Sequence, residues 1–329
     1  MPEIYGTLGP RCADTETLCA MFEAGMSGVR LNLSHITLHD AAEEIENLHR
    51  AAARAHVKAQ LLIDMQGPEL RIGALSRPIS LAVGDTVILG DGGIPVPTMT
   101  LPCLLPGQEV LLDDGKLLLE VTEHDGAQAR ARVMRGGTLT GHKSIALPGT
   151  ALHPPTLTEA DRENIALAPA YGVTGLMQPF VRDRVDLDTV RNALDAVGGA
   201  RIRLFAKIEN QEGVQHLDSL IPACDEIVIA RGDLGNAMPL WELPRVQKEI
   251  SAKCRAAGRS FMVVTQMLYT MEHSAVPTRA EVSDIFNAVC DGAASVMVTG
   301  ETAVGDYPVE TIWYLKNTAD EAAAYLKRI

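Results

Sequence analysis

Residues 203–210 read RLFAKIEN and residues 226–235 read EIVIARGDLG. Each opens as a short, nearly continuous apolar run and ends abruptly in charge: Lys207 and Glu209 in one, Arg231 and Asp233 in the other. Apolar runs of this length suit strands buried on both faces of a parallel sheet. Working outward from this pair gives eight such runs: Glu3–Leu8, Gly28–Leu33, Ala59–Asp64, Val173–Gln178, Arg203–Ile208, Glu226–Ala230, Phe261–Gln266 and Ala294–Thr299. Helical periodicity follows them, as in Asp14–Ala24, Leu38–Ala55, Asp186–Val197, Trp241–Ala257 and Pro308–Lys327. Pro308 suits a first helical turn, and Thr158 with Asp161 makes a variant capping box. Eight strand–helix units predict an α/β fold, the (β/α)8 TIM barrel.

One segment breaks the rhythm. Residues 69–152 are rich in Gly and Pro and carry short or alternating strands at Thr86–Leu89, Val110–Leu112, Leu117–Val121 and Ala127–Val133. Asp114-Gly115 and Asp125-Gly126 lie between strand pairs, a hairpin signal. The expected organisation is a barrel of residues 1–68 and 153–329 with a small all-β domain, 69–152, inserted after strand three. Removing those 84 residues from 329 leaves 245, close to the ~250 typical of such barrels.

Composition narrows the partners. With 29 Lys+Arg against 42 Asp+Glu, the formal charge is −13. That argues against nucleic acid or an anionic membrane, both of which need a basic face. No run approaches the roughly 18 apolar residues of a membrane span, and the start MPEIYGTLGP lacks the features of a signal peptide. The six cysteines are scattered with no C-x-x-C pair, as expected of reduced thiols in the cytoplasm.

Working groups of such barrels lie at the C-terminal strand ends, where polar residues gather here. Strand two ends in Arg30-Leu31-Asn32-Leu33-Ser34-His35, with Arg30, Asn32 and Ser34 sharing one face. Asp64 ends strand three, Lys207 and Glu209 strand five, Gly232 and Asp233 strand six, Thr265 strand seven, and Thr299-Gly300-Glu301-Thr302 strand eight. Glu209 and Asp233 are a fair ligand pair for a hard divalent cation that keeps waters and substrate oxygens. Arg30, Arg71 and Lys207 can hold a phosphoryl group. The backbone N–H groups of Gly232 and Asp233, before a polar turn and a helix, can receive a carboxylate. Four cations (Arg30, Arg71, Lys143, Lys207) face four carboxylates (Asp64, Glu69, Glu209, Asp233), so an anionic substrate would need metal ions for charge balance. Metal-assisted phosphoryl transfer is the chemistry this suggests. Singly, Lys207 with Glu209 reads as an ion pair, and Arg30 as a structural partner of Asp64. The argument rests on co-location at six strand ends.

These motifs resemble the pyruvate kinase family from about Ile4 to about Trp313. Gly6-Thr7-Leu8-Gly9-Pro10, Val29–His35, Asp64–Arg71 and Lys143–Gly149 are similar to family blocks. Ala206–Asn210, Ala230–Gly235, Thr265–Leu268, Pro277–Glu281 and Gly300–Pro308 match almost letter for letter. The resemblance implies conversion of phosphoenolpyruvate and ADP to pyruvate and ATP. It implies that Glu209 and Asp233 bind Mg²⁺ or Mn²⁺, that Lys207 stabilises the phosphoryl group in flight, and that Arg30 grips it. Asn32, Ser34, Asp64 and the Met65 carbonyl would bind a monovalent cation, usually K⁺. Gly232, Asp233 and Thr265 would receive the substrate carboxylate, Thr265 lying near the route that protonates the enolate carbon. Arg71, Lys143, His35 and Pro10 would contact the nucleotide, with the inserted domain closing as a lid.

Departures accompany the resemblance. The family's usual C-terminal domain has no counterpart in this sequence, so the resemblance implies an enzyme without that domain's allosteric control, and a homodimer, or a monomer if the altered segment around Tyr269 and Asn236 weakens the remaining interface. Met65, Gln66 and Ile72 resemble the K⁺-independent branch, whereas Glu69 resembles the K⁺-dependent one. Gln178-Pro179 stands where the family has Ala-Ser, Ala146 where it has Asn, Tyr269-Thr270 where it has Glu-Ser, and Asn236-Ala237-Met238 where it has Val-Glu-Ile. Gln178, Pro179 and Ala146 alter the wall and lid while sparing the core, and so admit a specialised paralogue acting on another phosphoryl acceptor or a substituted enolpyruvate. A metal-dependent pyruvate aldolase or lyase shares the barrel and the carboxylate pair, but lacks the insert. A non-catalytic sensor retaining the ligand site is the remaining alternative.

Overall fold

Eight parallel strands, Glu3–Thr7, Gly28–Asn32, Gln60–Asp64, Gly175–Gln178, Arg203–Ile208, Glu226–Ala230, Ser260–Val264 and Ser295–Met297, close into a barrel in chain order. They are seen in a computed structural model that describes every residue except 35, 114, 151 and 329. Each predicted run supplies one strand; two agree residue for residue, and the others differ by one or two residues at an end. Helices Thr15–Glu23, Ala42–Arg54, Arg184–Ala196, Leu243–Ala256 and Pro308–Leu326 occupy the predicted stretches. The capping box forms: the Thr158 hydroxyl accepts the Asp161 N–H at 3.1 Å, and the Asp161 carboxylate accepts the Thr158 N–H at 2.8 Å. A second box, Thr278 with Glu281, heads the helix Arg279–Cys290 and was not anticipated.

The chain divides into two units, Met1–Gly67 with Thr156–Ile329, and Pro68–Pro155. In the barrel unit, the two-residue period of the strands sorts side chains into separate layers. Val29, Leu31, Leu61, Ile63, Leu204, Ala206 and Ile208 belong to the large core shared with the helices. Tyr5, Leu62, Met177, Phe205, Val228, Met262 and Met297 form a distinct cluster, the filling of the lumen. Below that apolar layer, Glu226 is 1% exposed, pairs with Arg203 at 2.6 Å and accepts the Ser295 hydroxyl. Above it, the same pleat carries Arg30, Asp64 and Lys207 to the C-terminal mouth. Asn32 stands opposite Asp64, and Lys207 opposite Val228.

The smaller unit has its own core, including Ile72, Leu89, Val110, Leu112, Leu119, Val121, Ala131 and Val133. Its five-stranded antiparallel sheet runs Ile145–Ala146, Glu109–Leu112, Leu117–His124, Gln128–Arg135, Thr86–Gly90. A two-stranded ribbon, Ile79–Leu81 with Gly137–Leu139, completes it. The Asp125-Gly126 hairpin forms because the Asp125 carboxylate accepts the N–H groups of Ala127 and Gln128 at 3.0 and 2.9 Å while Gly126 takes φ +97°. The other hairpin signal includes residue 114, outside the described residues. Among the described residues no helix is long and apolar enough to cross a membrane.

Candidate active site

The mouth of the barrel carries a chain of alternating charge. Arg30 Nε lies 2.7 Å from Asp64 Oδ2, Lys207 Nζ 3.0 Å from the same oxygen, and Lys207 Nζ 2.9 Å from Glu209 Oε1. Glu209 Oε2 accepts the Phe180 N–H at 2.8 Å. Arg30 and Asp64 come from neighbouring strands, but Lys207 reaches Asp64 past the end of the fourth strand. Both carboxylates are 2% exposed at the side chain, and Lys207 is 12%.

Burial and neighbouring charge compete at each group. At Asp64, burial favours the neutral acid, but Lys207 and Arg30 outweigh it and hold the carboxyl below the usual aspartate range. At Lys207, burial opposes the ammonium, yet Asp64 and Glu209 push its pKa above that of an ordinary lysine. At Glu209, burial dominates; Lys207 works against it, while Asp233 and Asp64 add to it, and the pKa is raised. Among the described residues, two cations, Arg30 and Lys207, thus face three carboxylates, Asp64, Glu209 and Asp233. A divalent cation would relieve that negative excess.

The donors suit such an ion in part. Glu209 and Asp233 offer hard oxygens, and among the described residues no group of three or more His, Cys, Asp or Glu side chains can hold a metal. Partial protein ligation, completed by water and substrate oxygens, is the habit of Mg²⁺.

Gly232 and Asp233 sit differently from expectation. No polar turn intervenes: the short helix Arg231–Asn236 begins directly after the sixth strand, with both residues in its first turn, where helical geometry aims N–H groups outward. A Cβ on Gly232 would lie 3.2 Å from Thr265 Cγ2, so the threonine side chain rests against this glycine. Thr265 has φ +81° and Gln266 φ +55°. For a β-branched residue such a conformation costs of order 1–3 kcal/mol and needs external support.

The structure therefore brings Arg30, Asp64, Lys207, Glu209 and Asp233 into one electrostatic group, with Gly232 beside Thr265. Asn32 closes the second strand, its side-chain oxygen accepting the Ser34 N–H at 3.2 Å. Met65 is buried, and its N–H donates to the Met177 carbonyl at 3.1 Å. Pro10 is exposed in the turn after the first strand. In the smaller unit, Arg71 pairs with Glu69 at 2.6 Å and donates to the His142 carbonyl at 2.9 Å, and Lys143 pairs with Asp113 at 2.8 Å. His35 lies outside the described residues. Sequence reasoning places Arg231 and Glu301 at their strand ends but gives neither a role. The Glu301 carboxylate is buried and accepts N–H groups from Thr299 at 2.7 Å and Leu268 at 3.3 Å, tying the ends of strands seven and eight. A charged residue directly after an apolar run was the available signal for Arg231, and its place beside Gly232 and Asp233 obscured it.

Comparison with known proteins gives a concordant result. The family described as "Pyruvate kinase, barrel domain" matches residues 2–312. The chain is 38% identical to a pyruvate kinase of Bacillus licheniformis over 97% of its own length and 57% of that protein. It is 36% identical to one of Geobacillus stearothermophilus, over 94% of this chain and 55% of the relative. For one of Methylorubrum extorquens the figures are 37%, 97% and 68%. The chain thus spans little more than half the length of the first two relatives.

Proposed function

The chain belongs to the pyruvate kinase family, and on that premise we propose that it transfers the phosphoryl group of phosphoenolpyruvate to ADP, giving pyruvate and ATP. The observation that carries this reading is the buried Arg30–Asp64–Lys207–Glu209 chain at the barrel mouth. Phosphoryl transfer is mostly positioning and charge stabilisation, and a lysine kept charged in a water-poor site serves both. Asp64 orients two cations at once: Arg30 to grip the substrate phosphate and Lys207 to accompany the group in flight. Gly232 and Asp233 N–H groups with the Thr265 hydroxyl would receive the substrate carboxylate. Thr265 would also deliver, through water, the proton that the enolate carbon takes up. Glu209 and Asp233 would hold Mg²⁺ or Mn²⁺, which supplies charge neutralisation on the substrate oxygens.

The remaining assignments are parts of the same proposal. Asn32, Ser34, Asp64 and the Met65 carbonyl would bind K⁺, and Arg71, Lys143, His35 and Pro10 would contact the nucleotide. The division into a catalytic barrel of residues 1–68 and 153–329 and a lid of 69–152 belongs here too. Six free thiols suit a reducing cytoplasm. Tyr269 and Val304, exposed on segments that pack together, suit a homodimer contact, for which light scattering is the test. The function is tested by pyruvate formation from phosphoenolpyruvate, ADP and Mg²⁺, with and without K⁺. Robust turnover supports it; absence of both turnover and phosphoenolpyruvate binding refutes it.

A further inference from the structure

The left-handed turn at Thr265 is not self-supporting. A β-branched residue released from external contacts returns to negative φ, and the threonine hydroxyl would move with it. At Thr265 itself, the Arg231 side chain opposes this. Arg231 donates to the Thr265 carbonyl from Nε at 3.1 Å and from Nη2 at 2.7 Å, a fork on a single oxygen. Its third nitrogen, Nη1, donates to Asp284 Oδ2 at 2.7 Å, and Nη2 also contacts Met267 Sδ at 2.9 Å. The guanidinium is 13% exposed, and Asp284 stands on the helix Arg279–Cys290, which anchors it from outside the barrel. Beyond the turn, Glu301 fixes the Leu268 N–H. The strained residues 265 and 266 are therefore clamped at both ends.

We propose that Arg231, tethered by Asp284, is a positioning residue that holds the Thr265 turn and thereby sets the Thr265 hydroxyl beside Gly232. Arg231 touches no substrate in this scheme; it acts through Thr265. The inference rests on the pyruvate kinase reading above for the role of that hydroxyl. A planar fork is needed because one carbonyl oxygen and one carboxylate are engaged from different edges of the same group. Lysine, with a single nitrogen, replaces this incompletely.

The test is a double-mutant cycle with pyruvate formation from phosphoenolpyruvate, ADP and Mg²⁺ as the assay. Arg231→Met should lower kcat/KM about tenfold or more, since small displacements of a reacting group are costly. Arg231→Lys should recover part of the loss. In a Thr265→Ala background, the Arg231→Met change should cost less than about twofold, because the group it positions is already gone. Equal losses in both backgrounds would overturn the proposal. Asp284→Asn, at a half-exposed site, gives a milder second variant that must show the same dependence on Thr265. A crystal structure of Arg231→Met should show Thr265 at negative φ; a retained positive φ overturns the proposal whatever the kinetics. If the unmodified chain forms no pyruvate, the functional reading fails, and the φ comparison alone decides the role of Arg231.

Discussion

Replacing Lys207 by methionine separates what the barrel mouth does for stability from what it does for catalysis. The substitution keeps the side chain's length and removes its charge, breaking the contacts to Asp64 and Glu209 at 3.0 and 2.9 Å. Neither carboxylate is stranded completely: Asp64 keeps Arg30 at 2.7 Å, and Glu209 keeps the Phe180 N–H at 2.8 Å. Breaking a buried ion pair costs roughly 3–5 kcal/mol; with one partner left to each acid, the expected loss is at the lower end, about 3 kcal/mol. The catalytic loss should be of similar size. Removing one preorganised donor from developing charge costs on the order of 10²–10³ in kcat. Denaturant unfolding and pyruvate formation read the two quantities independently. Adding Glu209→Gln to the methionine variant should recover part of the stability, without recovering turnover, because the carboxylate that lost its lysine is gone while an amide oxygen can still accept the Phe180 N–H. A Lys207→Met protein that turns over within about threefold of the parent would refute the reasoning behind both the function and the charge chain.

Other expectations follow from single contacts. Asp161 accepts N–H groups from Gln66 at 3.0 Å, Gly67 at 3.0 Å and Thr158 at 2.8 Å; Asp161→Ala should destabilise the barrel unit by roughly 2–3 kcal/mol, read by denaturant unfolding. At Asp186, burial favours the neutral acid, but hydrogen bonds from Arg182 and Thr156 outweigh it and lower the pKa. Its contribution is therefore present above the ordinary aspartate range, near pH ~4, and lost as pH falls through the lowered value. Asp186→Asn should remove that segment from stability profiles measured between about pH 2 and pH 5. Gly232→Ala places a Cβ 3.2 Å from Thr265 Cγ2; kcat/KM for phosphoenolpyruvate should fall on the order of tenfold with little change in unfolding.

The barrel was legible because its rule is local. Arg203–Ile208 and Glu226–Ala230 announce buried strands by apolar continuity, and their strand ends agree residue for residue with the structure. The same two-residue period that puts Leu62 and Phe205 in the lumen carries Asp64 and Lys207 to its mouth, so the candidate charges were legible as well. The helix start at Arg231 was misplaced, because a six-residue helix has too few positions to show a period. Glu301 was visible at the end of strand eight but without a role, because Leu268, which it joins to Thr299, comes near only through strands seven and eight.

By itself, then, the sequence determined the number of strand–helix units, the inserted β unit and the residue types at each strand end, since alternation and turn chemistry act between near neighbours. Tertiary structure alone decided how those groups engage. Lys207 meets Asp64 across 143 positions of chain only once the barrel has closed, and closure also sets which charges share the dry mouth and hence the shifts at Asp64, Lys207 and Glu209. The left-handed turn at Thr265 is the strongest case: local preference opposes it, and it is held by the Arg231 fork and by Glu301, whose hydrogen bonds form between segments that the sequence keeps apart.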